Sequence, residues 1–128
     1  MAEIRSFRDL NVYQKAREAA QAIFELSKSF PKEERYSLTD QIRRSSRAVN
    51  AMIAEALAKR RYEAAFISKL NDALGEAMET QSWLDHAHDS GYITVAQFKE
   101  LDVSWQQIGG MLHRMTERAG DFCKVPKR

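Results

Sequence analysis

The chain has 128 residues, 44% of them hydrophobic and 30% charged, with five Gly, two Pro and a formal charge of +2. One domain of this size buries roughly two thirds of its unfolded surface, so a packed core is expected and disorder is not. The single cysteine, Cys123, excludes an internal disulfide and a cysteine-built metal site. No run reaches the roughly 20 apolar residues that span a bilayer. The opening Met1-Ala2-Glu3-Ile4-Arg5 has no apolar signal core, so a cytoplasmic protein with no membrane partner is expected.

Helical spacing runs through almost the whole chain. Ser6 and Asp9 have capping-box spacing, and Leu10, Tyr13, Ala16, Ala20, Ile23 and Phe24 form one apolar stripe. Pro31 stops this first helix, and Pro31 to Arg35 reads as a short polar connection. Ser37 and Asp40 suggest a second capping box, followed by the stripe Leu38, Ile42, Ser45, Val49, Met52 or Ile53, and Ala56. In the third helix Tyr62, Phe66, Leu70, Ala73 or Leu74, Ala77, Gln81, Leu84 and Ala87 or His88 keep the period, with Gly91 as its left-handed stop.

Thr94 and Gln97 box the start of a fourth helix, striped by Phe98, Leu101, Trp105, Ile108, Leu112, Met115, Ala119 and Phe122. Gly109-Gly110 within it lowers helix propensity by about 2 kcal/mol, which points to close helix packing rather than a kink. Four helices are therefore predicted, over about 7–29, 37–58, 62–90 and 94–122, with a fraying tail at 124–128. Short connections make neighbours antiparallel. The predicted fold is all-α, a single up-down-up-down four-helix bundle.

The charge of +2 conceals segregation. Residues 35–61 hold seven basic and two acidic side chains, whereas residues 62–102 hold two basic and eight acidic. Arg43, Arg44, Arg47, Lys59, Arg60 and Arg61, joined by Arg114 and Arg118, form a candidate phosphate-binding surface, because guanidinium forks bind two oxygens at once. Arg43 and Arg47 share a face, with Arg44 about 100° round from Arg43. The competing reading pairs the basic helix with the acidic one, inside a subunit or across an interface. No exposed aromatics interleave the patch, which weighs against a single-strand binder.

Catalytic arrangements are sparse. A di-metal bundle needs Glu-x-x-His on two helices, and none occurs; Asp85, His86 and His88 read as a solvated helix end. His113 reads as a packed or partly exposed helical residue, and Cys123 as a small apolar one. Glu55, Glu76 and Glu79 lack a nucleophile or histidine partner and are expected to join Arg44 and Gln81 in a structural polar cluster, built on a buried Arg–Glu pair. Glycine-rich phosphate loops, nucleophile elbows and zinc-binding His pairs are all missing. No enzyme, metal or cofactor is expected.

Several motifs occur in a telling order: Phe7-x-x-Leu10-x-Val12-Tyr13-x-x-Ala16, then Phe30-Pro31-x-x-Glu34-x-Tyr36-x-Leu38-x-x-Gln41-Ile42-Arg43-Arg44. Ile53-Ala54-Glu55, Glu76-x-x-Glu79-Thr80-Gln81 and Gly91-Tyr92-Ile93 follow. Over residues 7–122 the chain resembles the ribosomal S23-like family named for open reading frames in intervening sequences of bacterial 23S rRNA genes. It departs at Ala48 to Ala56, where the family pattern is similar to Ser-Ile-x-x-Asn-Ile-Ala-Glu-Gly, and at Asp72-Ala73, where the family has Gly-Ser.

The resemblance implies a four-helix bundle that assembles with itself into a ring, a pentamer being the expected size. It brings no established activity. By fold-level analogy, basic ring-forming bundles accessory to diversity-generating retroelements bind nucleic acid. Two functions are thus expected to compete: RNA or other nucleic-acid binding through the basic helix, and protein–protein assembly in which that helix meets a neighbour's acidic helix.

Overall fold

The computed structural model describes residues 4–124. Four long helices dominate: α1 (Asn11–Ser27), α2 (Asp40–Ala58), α3 (Glu63–Asp89) and α4 (Val95–Glu117), with a single turn, α5 (Ala119–Phe122), after them. Each long helix packs on the next, and α4 returns to α1, closing a four-cornered bundle. The all-α bundle read from periodicity is the observed fold. Residues 125–128 of the predicted fraying tail lie outside the described residues.

The apolar stripes meet in one core. Ile23, Ile42, Ile53, Phe66, Leu70, Leu84, Trp105, Ile108 and Leu112 are fully buried. Burying each such side chain contributes about 1.5–3 kcal/mol. Small residues set how closely helices approach: Ala16, Ala19 and Ala20 on α1, and Ala73, Ala77 and Ala87 on α3, are buried. Gly109 serves the same end, because a Cβ there would stand 3.3 Å from Leu74 Cδ1 of α3. Accordingly α4 runs through Gly109-Gly110 without interruption.

Element starts differ from expectation where local geometry competes with periodicity. The Ser6–Asp9 box forms, but it caps only a 3-10 turn, Phe7–Asp9. Leu10 then turns extended (φ −70°, ψ 126°) and buries its side chain before α1 begins. The Ser37–Asp40 box does not form. An N-cap needs non-helical backbone, whereas residues 32–39 already wind as a 3-10 turn and then a π turn. Burial of Leu38 and Thr39 accompanies that early winding, and Ser37 Oγ donates instead to Glu34 Oε1 at 2.7 Å.

Two stripe positions of α3 also change. Tyr62 is 68% exposed at the N-cap, and Thr80 takes the buried place expected for Gln81. By contrast, the Thr94–Gln97 box is formed in full. Gly91 has φ 77°, and Tyr92 and Gly91 donate to the carbonyls of Ala87 and His88, completing a Schellman stop. Near that stop, the Tyr92 and Phe30 rings lie 6.0 Å apart, and a hydrogen bond to Glu34 raises the Tyr92 pKa.

Gly75 and Gly91 both have open space where a Cβ would go. Backbone conformation alone should therefore decide the sign of substitution. Gly75→Ala, inside α3, is expected to raise the unfolding free energy by about 0.5–1 kcal/mol. Gly91→Ala is expected to lower it by about 1–2 kcal/mol, because the left-handed region penalises a Cβ. Urea unfolding of the two variants checks the opposite signs.

Candidate functional site

Successive residues on an α-helix are about 100° apart, and α2 sends Arg43 and Arg44 to different neighbours. Arg44 turns to α3, where its guanidinium lies 3.3–3.4 Å from the Glu76 carboxylate and also binds Glu79. The hydrogen bond to Glu76 is the largest cause of a raised Arg44 pKa, burial opposes it, and both acids add to it by charge. Glu79 Oε2 also accepts from the Trp83 indole at 3.1 Å. Arg44 itself is 49% exposed, so this is a half-solvated pair and not the buried one expected.

The polar cluster anticipated around Arg44 therefore contains three of its five members. Glu55 sits with Lys69 at 3.1 Å, one salt bridge further along the same seam. Gln81 faces α4 instead, donating to Asp102 Oδ1 at 3.1 Å and Gln106 Oε1 at 3.0 Å. The seam's centre is apolar apart from two hydroxyls: Ser45 and Thr80, both fully buried, lie 2.8 Å apart. Each also reaches a backbone carbonyl, Ile42 and Glu76 respectively, so neither hydroxyl is stranded there.

Arg43 and Arg47 turn the other way, onto α1. Their guanidinium carbons lie 4.7 and 5.2 Å from the Phe24 ring centroid, and Lys28 Nζ lies 4.9 Å from it. Three cations thus share one ring, each within the roughly 6 Å over which a quadrupole attracts a cation. Arg43 Nε donates to the buried Ser27 Oγ at 2.7 Å, which fixes that guanidinium. Lys28 has Glu25 at 3.1 Å. Among the described residues, neither arginine forms a salt bridge to a carboxylate. Three cations are gathered here with one carboxylate, Glu25, among them, and such a cluster attracts phosphate.

The remaining basic candidates lie at the other end of the bundle. Lys59, Arg60 and Arg61 occupy the α2–α3 turn, with Lys59 about 18 Å along the helix axis from Arg47. Arg114 and Arg118 close α4, and with Ile4, Leu10, Met115 and Phe122 they line a groove of about 480 Å³. Phe122 stacks on Phe66 at 5.9 Å. Cys123 beside it has its thiol pKa pushed up by burial first and by Glu63, against Arg60. The single basic surface expected from sequence is in fact three separate placements.

The structure also brings forward residues that composition did not. Phe24 and Lys28, four apart on α1, were visible as a pair, but their meeting with Arg43 and Arg47 depends on how α1 packs against α2. Asn50 Nδ2 donates to the Tyr13 carbonyl at 3.1 Å, a cross-helix bond with no signature in spacing. Exposed aromatics do accompany the basic segment, contrary to the expectation from sequence: Tyr36 is 73% exposed and Tyr62 68%. His88 stacks on Phe98 at 5.0 Å and His86 approaches Trp83 at 5.8 Å. His113 stands in solvent, 3.5 Å from Glu117.

Among the described residues, no group of three or more His, Cys, Asp or Glu is arranged to hold a metal, and no helix is long and apolar enough to cross a membrane. The different surroundings of the arginines have a measurable consequence. Arg44→Gln removes the partner of two carboxylates and is expected to lower the unfolding free energy by about 1 kcal/mol. Arg47→Gln is expected to stay within about 0.5 kcal/mol of the parent. Equal losses in urea unfolding would show that the seam has no special weight.

Comparison with known proteins agrees with this architecture. The family described as 23S rRNA-intervening sequence protein matches residues 8–114. A crystal structure from Bacteroides thetaiotaomicron, of a protein with unknown function from the S23 ribosomal protein family, is 34% identical with a TM-score of 0.75. The match covers 83% of this chain and 98% of that one. No curated protein matches the chain. By sequence and by fold, this chain belongs to the 23S rRNA-intervening sequence protein family.

Proposed function

We propose that this chain is a non-enzymatic, self-associating cytoplasmic bundle that binds RNA or another nucleic acid through the α1-facing side of α2. The observation that carries the reading is the convergence of Arg43, Arg47 and Lys28 on Phe24, with no carboxylate salt-bridged to either arginine among the described residues. Guanidinium groups that have no internal acid keep their forks available for phosphate oxygens. Binding of this kind draws its free energy largely from counterion release and has little sequence preference.

Filter binding to an RNA hairpin with single-stranded flanks, repeated at several salt concentrations, tests the assignment. An Arg43→Ala/Arg47→Ala variant is expected to bind more weakly, with a salt slope shallower by about 1 for each phosphate that is no longer neutralised. Arg44→Ala is expected to change binding much less, because Arg44 already has two carboxylates. Unchanged binding by the double variant would refute the reading.

A specific observation supports self-association. Met78 is 59% exposed beside a groove of about 310 Å³ lined by Leu74, Gln81, Gly109 and Gly110. The rival account, a pure assembly module joining basic α2 to a neighbour's acidic α3, has less support because Glu76 and Glu79 already hold Arg44 within the chain. Light scattering is expected to give a mass that is a multiple of 14.7 kDa, five-fold for the expected ring. Met78→Glu is expected to reduce it. A monomeric parent would refute self-association.

A further inference from the structure

The two most exposed large hydrophobic side chains in the described chain are tyrosines, and they sit at opposite ends of α2. Tyr36 lies in the turn leading into the helix, with the Arg35 guanidinium 5.5 Å from its ring centroid. Tyr62 follows Arg60 and Arg61 in the turn leaving it. Neither ring is needed by the core. Exposing a phenol so fully in the turn at each end of one helix gives no packing return.

Between the tyrosines, Arg43 and Arg47 supply positive charge without carboxylate salt bridges, and Ala51 and Ala58 are exposed and short. The 19 residues of α2 span about 28 Å. Duplex recognition uses phosphates and grooves and has no use for a free ring face, because paired bases are already stacked on each other. Unpaired bases have open faces, and stacking one on an aromatic side chain is favourable for any base. An exposed ring at each end of a helix that also carries Arg43 and Arg47 suits an unpaired strand, on the scale of the roughly 4–16 nucleotides such sites cover.

Resting on the nucleic-acid reading above, we infer that the ligand of α2 is an unpaired strand, with its backbone along Arg43 and Arg47 and bases stacked on Tyr36 and Tyr62. Asp40, seven residues before Arg47 and exposed, is the carboxylate on that face of α2. Its position opposes a phosphate backbone, so removing its charge should tighten binding.

Fluorescence anisotropy with an unstructured 12-nucleotide RNA and with a 12-base-pair RNA duplex provides the test, at about the scale of such sites. The single strand is expected to bind at least about tenfold more tightly. Tyr36→Ala and Tyr62→Ala are each expected to weaken it about fivefold or more, with Phe at either position restoring binding and with the salt slope unchanged. Asp40→Asn is expected to strengthen it. Both tyrosines are at the surface, and circular dichroism of the variants checks that folding is intact. Equal affinity for duplex, or full affinity in both Ala variants while Arg43→Ala/Arg47→Ala loses it, overturns the unpaired-strand inference and leaves the nucleic-acid reading standing. If neither RNA binds, both are overturned.

Discussion

The contact between α2 and α3 is the constraint on which the rest of the bundle depends. It holds a pair of buried hydroxyls, Ser45 and Thr80, and ion pairs along one edge, Arg44 with Glu76 and Glu79 and, about three turns further along, Lys69 with Glu55. The hydroxyl pair forms at one register only, and a shift of one turn would lose the Ser45–Thr80 bond while leaving each hydroxyl its own backbone carbonyl. The ion pairs are partly solvated and individually weak. Their contribution is directional: they select one rotation of α2 against α3.

Once that rotation is chosen, the fate of the other arginines follows. Arg43 stands about 100° round the helix from Arg44 and Arg47 about 60°, and both reach Phe24 of α1. They share that ring with Lys28 at the C-cap of α1. Two of the acids of α3, Glu76 and Glu79, are thus taken up by Arg44, while Arg43 and Arg47 are left on the α1 side of α2. Net charge conceals this because it sums groups that never meet.

Much of the architecture was legible because burial obeys a period. Stripes such as Ile42, Val49, Ile53 and Leu101, Trp105, Ile108, Leu112 declare their inward face from spacing alone. Stops were legible where one residue type is required, as at Gly91, and the Thr94–Gln97 box formed as read. The Ser37–Asp40 box failed because identical spacing arises when the chain is already wound, and only the backbone upstream distinguishes the two. Tyr62 kept the period of α3 yet stands outside the core, since the stripe begins one residue before the helix does. The candidate site was half-legible: i, i+4 spacing joined Arg43 to Arg47, but which arginine α3 would capture depended on interhelical rotation.

The groove lined by Ile4, Arg118 and Phe122 shows that the described chain begins and ends at one pole of the bundle. Phe24, Lys28 and Arg43 stand toward the other pole, by the α1–α2 connection. A tag, fluorophore or surface anchor joined at residue 4 or residue 124 would therefore leave from the pole carrying Lys59 to Arg61. Immobilisation through either position would hold the Phe24 cluster toward solution, and a linker inserted at residues 90–94 would do the reverse.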